Sequence, residues 1–478
     1  MALFYILVGV FAIFWFRWTY LKSKGKPPPP PGPRGLPLVG NLPFLRHDLH
    51  SYFAELASTY GPVVKLQLGS KIGILVTSPS AAREVLRDQD IVFANRDVPN
   101  TAKVITGGRD IVWNPYGPEW RMLRKVCVIK MLSSATLDKA YELRRREVVQ
   151  TVGYLYSSVE GEARASLGAE FRQVISETTE LLGMPDISDF FPVLAPLDLQ
   201  GAVKRMKEPM DKLNAIIENI IDQRLKKERE NGSGSAVEFE DFVQFLLQLK
   251  DEEDSKTPLT MNHIKALLLD MVVGGTDTSS NSIEFTMAEI INKPEVMRKA
   301  QQELVEVVGK DNLVEESHIQ KLPYLLAIMK ESLRLHPILP LLVPHCPSEP
   351  CTVGSYGIPK GSRVFVNAWA IHRDPSIWEN PLEFNPSRFL NSQWDFSGSD
   401  FSYFPFGSGR RICAGIAMAE RMVLYSVATL LHSFDWKVPE GKKLDLSEKF
   451  GIVLKLENPL VAIPTPRLSD PSLYEQQI

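Results

Sequence analysis

Five consecutive prolines, Pro27 to Pro31, followed by Gly32-Pro33-Arg34-Gly35-Leu36-Pro37, divide the chain before any folded body begins. Each proline ring fixes φ and removes an amide donor, so this stretch forms a stiff extended spacer rather than a helix or a central strand. Ahead of it, residues 2–16 carry no charge. With Arg17 snorkelling, the apolar span reaches about 20 residues, the length needed to cross a bilayer. Lys22, Lys24 and Lys26 follow, and this positive flank places the rest of the chain on the cytosolic side. A cleaved signal peptide is the alternative, but it would start with a positive charge and end at a small-residue cleavage site. The prolines could also serve as a ligand for proline-binding domains; directly after an anchor, a spacer holding a body against the membrane is the better reading. The expected organisation is an anchor at 1–21, a basic and proline-rich hinge at 22–37, and one body at 38–478.

That body has a globular composition, 44% hydrophobic and 23% charged over the 478 residues, which excludes disordered and collagen-like chains. A net charge of −3 provides no field to attract nucleic acid, so no nucleic-acid partner is expected. The four cysteines, Cys127, Cys346, Cys351 and Cys413, include no C-x-x-C pair. They suit a reducing compartment and exclude a disulfide scaffold or a zinc ribbon. Strand-like runs are short, at 63–68, 72–76 and 363–366. Helical periodicity covers 81–88, 120–130, 210–229, 263–291, 294–308 and 417–432. Residues 226–235 and 251–258 read as solvated breaks around a short helix. The fold class is therefore mainly α with small β-sheets.

The most informative stretch is Phe404-Pro405-Phe406-Gly407-Ser408-Gly409-Arg410-Arg411-Ile412-Cys413-Ala414-Gly415. A single cysteine sits in a glycine-rich loop, with two arginines before it and a helical pattern after it. Glycines let backbone amides approach the sulfur, and the following helix start adds positive potential; both stabilise a thiolate. A lone cysteine beside a turn is more often structural, so the flanking pattern carries the functional reading. Within 263–291, Gly274-Gly275-Thr276-Asp277-Thr278-Ser279 places two glycines inside a helix, at a cost of about 1 kcal/mol each relative to alanine. Small residues there would admit a flat cofactor and dioxygen, and a neighbouring hydroxyl and carboxylate could relay protons. A kinked helix with a capping threonine is the structural alternative.

Phe406-x-x-Gly409-x-Arg411-x-Cys413-x-Gly415 is similar to the haem-binding signature of the cytochrome P450 monooxygenases. Further blocks follow the order of that family: Trp120-x-x-x-Arg124, the Gly275–Ser279 segment, Glu331-Ser332-Leu333-Arg334, and Phe384-Asn385-Pro386-Ser387-Arg388-Phe389. The chain resembles plant microsomal members of specialised metabolism in particular. The resemblance implies haem b with the Cys413 thiolate as the axial ligand of iron. Phe406, Gly409 and Gly415 would shape the loop, and Arg411, Trp120 and Arg124 would contact the haem propionates. His345, standing where many relatives have arginine, would be a further propionate contact. Thr278 would deliver protons to bound O2 with Asp277 as its acidic neighbour, and Glu331, Arg334 and Arg388 would form a buried ion network.

The chain shows no nucleotide-binding glycine fingerprint of its own, so electrons would come from NADPH-cytochrome P450 reductase. The implied substrate is a small apolar molecule, a flavonoid or a sesquiterpenoid, with pocket segments at 101–111, 267–275, 338–343 and 450–453. The implied setting is the endoplasmic reticulum membrane, spanned once, with the catalytic domain cytosolic. A rearranging, hydroperoxide-cleaving relative is the rival enzyme class, although such members usually lack the acid–Thr pair and the anchor. The chain departs from the family at 153–168, where it is one helix short. If a core helix is lost there, Val149, Val152 and Leu155 are expected to face water or a cavity. A haem-deficient, non-catalytic product of an incomplete transcript is the reading that this departure raises.

Overall fold

The computed structural model describes residues 27–159, 169–231, 242–251 and 258–475. The expected anchor, residues 22–26 of the hinge, and residues 160–168 of the shortened region lie outside the described residues. The proline run is extended, as its rings dictate, but it does not stand free. Pro31 O accepts the Lys65 amide at 2.8 Å and Pro28 O accepts the Gly357 amide at 2.8 Å, which docks the spacer on the β-region. A Cβ on Gly32 would sit 2.0 Å from Lys65 O, so only glycine permits this approach.

Helix α1 (Leu49–Tyr60) leads into the antiparallel pair β1 (Val63–Leu68) and β2 (Lys71–Val76), which turns at Gly69. Helices α2 (Asn100–Thr106), α3 (Pro118–Lys125), α4 (Tyr141–Val159), α5 (Ala169–Gly183), α6 (Ala202–Asn231) and α7 (Phe242–Asp251) follow. Helix α6 continues to Asn231, past the expected break at 226. Next come the long α8 (Met261–Asn292), then α9 (Pro294–Val308) and α10 (Pro323–Leu335). The hairpin β3 (Cys351–Val353) and β4 (Tyr356–Ile358) precedes β5 (Arg363–Val366), which joins β2 in parallel with Gly73 opposite Arg363. Helix α11 (Ile416–Ser433) continues into β6 (Phe434–Lys437), which pairs with β9 (Ile463–Pro466). Between these strands lies the small hairpin β7 (Glu448–Lys449) and β8 (Lys455–Leu456).

Helix α8 organises the body. Thr260 and His263 form a reciprocal capping box that fixes its start. Its first half buries Ile264, Leu267 and Leu269 against α5, α6 and α7, with Ile175, Met210 and Leu246 as partners. Its second half buries Phe285, Met287 and Ile290 against α9, α10 and α11, with Leu304, Ile328 and Tyr425. Between the two cores, Gly274 and Gly275 are exposed, and a Cβ on either would meet nothing within 4 Å. Val149 and Val152 correct the sequence reading. Both are buried, Val152 with Phe434 and Tyr474, so the end of α4 closes on the β6 region instead of facing water.

The ion network expected on α10 is present, with Glu331 and Arg334 fully buried and Arg388 partly so. Arg334 grips Glu331 with two hydrogen bonds of 2.7 and 2.8 Å, and Arg388 Nε adds a third at 3.3 Å. The remaining Arg334 donors reach His372 O, Pro381 O and Glu383 O. His372 Nε2 in turn accepts the Phe404 amide at 3.1 Å, so α10 is tied to the start of the cysteine loop. Glu331→Gln should strand a buried guanidinium at a cost of about 3–5 kcal/mol, a large share of an ordinary domain's net stability of about 5–15 kcal/mol. A urea midpoint unchanged from the parent would refute this role for the pair.

Candidate active site

The cysteine loop is shaped by close backbone approaches. Gly407 and Gly409 have φ of 75° and 67°, and a Cβ on Gly409 would lie 1.9 Å from Leu86 O. Cys413 N bonds Phe406 O at 3.0 Å, and the Gly415 amide, at the start of α11, donates to Cys413 Sγ at 3.3 Å. Phe406 packs edge-on against Phe396, 5.2 Å between centroids. Ala414 touches the core of α8's first half, whereas Phe406 and Ile416 touch that of its second half. Cys413 therefore sits between residues that pack on the two cores joined by α8. Residue Cys413 is exposed, yet enough protein surrounds the sulfur for burial to raise its thiol pKa. The Gly415 amide and Arg124 pull the other way.

A cluster of cations lies beside the loop. Arg411 reaches Ala94 O at 2.7 Å, Ile111 O at 3.1 Å and Asn114 O at 2.6 Å, and stacks 4.3 Å over the Trp120 ring. Trp120 Nε1 also donates to Ile111 O, at 3.0 Å, and Arg124 bonds Ile412 O. Arg96 donates to Val343 O at 2.7 Å and to Pro344 O at 3.1 Å. His345 Nδ1 donates to Phe93 O at 2.9 Å; burial, with Arg96 and Arg411 nearby, drives its pKa well down and keeps the ring neutral. Burial brings Arg411 down to about 10 and lowers Arg96 and Arg124 as well. Asp110 is the nearby carboxylate, itself pushed up by burial while accepting from Thr106, Val112 and Trp113. The cluster is short of negative charge, and Asn114 Nδ2 is buried without a partner.

The α8 residues divide between two directions. Thr278 Oγ1 donates to Gly274 O at 2.6 Å. Asp277 is buried and accepts from Thr179 of α5 at 2.5 Å and from Lys455 of β8 at 2.9 Å, with Asn281 Nδ2 3.3 Å away. Neighbours in sequence, the hydroxyl and the carboxylate are not bonded to each other, because successive helical residues point about 100° apart. The expected pocket segments 101–111 and 267–275 meet, and 338–343 touches the residue that follows 450–453. Asp270 of α8 accepts the Ile111 amide at 2.8 Å, its own pKa raised well up by burial and by Asp110. The Leu454 amide reaches Ile338 O at 2.8 Å. Sequence does not single out Arg96, Asp110, Asp270 or Lys455; the partners of Arg96, Asp270 and Lys455 lie far along the chain, and those of Asp110 are a nearby hydroxyl and two backbone amides.

The cytochrome P450 family model matches residues 30–167 and 158–463. The chain belongs to the cytochrome P450 family. A flavonoid 3'-monooxygenase from Crocosmia x crocosmiiflora is 39% identical over 489 residues, covering 94% of each chain. A geraniol 8-hydroxylase from Swertia mussotii is 39% identical over 477 residues, 93% of this chain and 94% of its own. A zebrafish cytochrome P450 solved with progesterone has a TM-score of 0.73 at 25% identity, covering 87% of this chain and 99% of its own. This P450 is a monooxygenase of the plant specialised-metabolism type. Its cofactor is haem b with a cysteine thiolate ligand, and it uses O2, a redox partner and a small substrate. The residues fit that cofactor: a sulfur that accepts a backbone amide, and beside it partly buried cations that suit the two carboxylates haem b carries.

The two matched stretches overlap at 158–167, where the resemblance to plant members had already placed a missing helix. The Crocosmia alignment is longer than the 94% of this chain that it spans, so some positions are filled only in the relative. Among the described residues, an open groove of about 350 Å³ is lined by Ile283, Met287, Leu430, Trp436 and Leu460, with Ser280 and Glu284. Leu155 and Tyr156 at the end of α4 pack into the cluster that Trp436 shares. Inserting the relative's helix between Gly161 and Glu162 should cover apolar surface worth about 25 cal/mol per Å² and raise haem bound per protein. Equal, near-stoichiometric haem in both forms would show that the shortened bundle is complete.

Proposed function

We propose that Cys413 is the axial thiolate of the haem iron and that the P450 hydroxylates an apolar flavonoid or sesquiterpenoid. The observation that carries this reading is the Cys413 loop, whose sulfur accepts the Gly415 amide beside the Arg411, Trp120 and Arg124 cluster, between the two cores that α8 joins. When bound, the thiolate-ligated haem supplies the oxidising power that favours O–O cleavage. The chain's own residues do the rest. Arg411, Arg124 and Arg96 hold the propionates, with Trp120 braced under Arg411 and His345 a neutral neighbour. Thr278 Oγ1 holds the proton to be delivered and bonds Gly274 O. Asp277, committed to Lys455 and Thr179, keeps α8 in register with β8. The rearranging alternative has no use for this hydroxyl.

The electron donor is NADPH-cytochrome P450 reductase, and the setting is the endoplasmic reticulum membrane. Residues 1–21 are the anchor, 22–37 the hinge and 38–478 the cytosolic catalytic body. An exposed apolar patch supports the membrane contact. Leu38 and Val193 are 89% and 90% exposed, with Leu36, Phe44, Leu197 and Leu199 also open. The two segments flank one turn, since the Gly69 amide bonds Val39 O and the Ser70 amide bonds Phe190 O. Such contiguous apolar surface marks a membrane or partner contact. The names of the Crocosmia and Swertia relatives support the flavonoid and terpenoid classes.

The direct test is turnover in microsomes containing the reductase, NADPH and ¹⁸O-labelled dioxygen, with flavonoid and sesquiterpene panels. Each product molecule should carry one labelled oxygen. Unlabelled product, or product formed without NADPH, would contradict a monooxygenase cycle. Thr278→Ala should keep haem and substrate binding but lower product per NADPH by about 10²-fold, with peroxide rising in its place. Unchanged product per NADPH would remove Thr278 from proton delivery.

A further inference from the structure

The β7–β8 hairpin is pinned by buried charge at both feet. At one foot, Lys455 Nζ pairs with Asp277 at 2.9 Å and donates to Ser176 Oγ of α5 at 2.6 Å. At the other foot, Glu448 gathers four donors. Its Oε1 takes His336 Nδ1 at 2.6 Å and Arg373 Nη2 at 3.0 Å; its Oε2 takes His50 Nε2 at 3.2 Å and Trp369 Nε1 at 2.9 Å. The other nitrogen of His336, Nε2, meets Glu289 of α8 at 2.9 Å. A ring held between two carboxylates must donate from both nitrogens, so His336 is an imidazolium. It stacks on Phe285 with centroids 4.4 Å apart.

The groups facing His336 are Glu289 from α8, Glu448 from the hairpin, Arg373, and His50 from α1, with Arg334 behind Arg373. Between the feet, the apex at 450–453 is seated tightly. Phe450 stacks on His50, Leu454 bonds Ile338 O, and the end of α5 abuts it: a Cβ on Gly183 would lie 2.5 Å from Ile452 N.

We propose that Glu448 is a positioning residue for substrate: by clamping His336 against Glu289, it fixes residues 450–453 over the pocket and so selects which apolar ligands reach the iron. The proposal rests on the haem-thiolate reading above. The energetics agree with the geometry. Burial opposes the charge on His336, but its bonds to Glu289 and Glu448 outweigh burial and raise its pKa. Burial likewise opposes the charge on Glu448, yet His336, His50 and Arg373 hold it far below the usual carboxylate range. A raised histidine contributes fully below its unfolded value of about 6.5 and loses that contribution only as pH climbs through the higher folded value. The depressed carboxylate contributes above its own unfolded value. The clamp is therefore closed at weakly acid pH and opens only as pH climbs through the raised folded value of His336.

Glu448→Gln keeps the size but offers one oxygen in place of two, so one pair of donors loses its acceptor. With the amide NH2 turned to His336, the ring can accept only as a neutral imidazole, and its pKa falls towards the ordinary value. The test uses the haem-loaded full chain in membranes, titrated with imidazole and with 1-phenylimidazole and followed by the optical shift of nitrogen ligation at iron. Imidazole reports the iron alone; the phenyl ring reports the pocket. Wild type should keep its preference for 1-phenylimidazole to a higher pH than Glu448→Gln does. In Glu448→Gln that preference should fall about fourfold at the alkaline end, the worth of one buried methylene, and recover towards the acid end. His336→Gln, neutral throughout, should show the weakened preference at every pH.

A wild-type preference at every pH in haem-loaded Glu448→Gln would overturn the proposal. Loss of haem from both variants would make the network a folding requirement and overturn it as well. No optical shift with imidazole in the wild type would defeat the haem reading itself, and the proposal with it, so the two failures are distinguishable.

Discussion

Everything on the cysteine side of the molecule hangs from one buried carboxylate. Glu331 is fully enclosed and holds Arg334 by two hydrogen bonds. Arg334 spends its other donors on carbonyls at 372, 381 and 383, which gathers a long irregular stretch that has little secondary structure of its own. His372, fixed by that grip, accepts the amide of Phe404, where the cysteine loop begins. A buried ion pair is rarely a net source of stability compared with apolar residues of the same size. Its value here is geometric: a planar guanidinium can hold three carbonyls and a carboxylate at set angles, and an apolar side chain cannot.

The loop so placed brings together two opposite electrostatic demands. Burial makes the Cys413 thiol harder to ionise, and one amide with one guanidinium offset this only in part. A bound metal cation removes the conflict, because a coordinating thiol is deprotonated outright. A few residues away, Arg96, Arg411 and Arg124 are buried with their pKa values lowered and are held mostly by carbonyl oxygens. One site lacks a cation and the other lacks anions. A cofactor with a metal centre and two peripheral carboxylates satisfies both.

Local spacing was legible from sequence; distant pairing was not. The cysteine loop could be read because its residues lie within a few positions of one another, whereas the Glu331–Arg334 network was legible only through the resemblance to the family. The long helices followed from periodicity. Lys455 and Asp277 are 178 positions apart, and Arg96 reaches carbonyls 247 and 248 positions away, so nothing near either residue announces its partner. Sequence adjacency also misled once. Asp277 and Thr278 read as a pair, but helical geometry turns the acid towards α5 and β8. The exposure expected for Val149 and Val152 failed for a related reason: Phe434 and Tyr474, which enclose Val152, come from the far end of the chain.

The central claim is that Cys413 binds the haem iron as a thiolate. The most direct measurement is the optical spectrum of the reduced, carbon-monoxide-bound full chain beside that of Cys413→Ala. The account predicts the long-wavelength band of thiolate ligation in the intact protein and its loss in the variant. A short-wavelength band in the intact, folded protein, of the kind given by histidine or a neutral thiol, would contradict it.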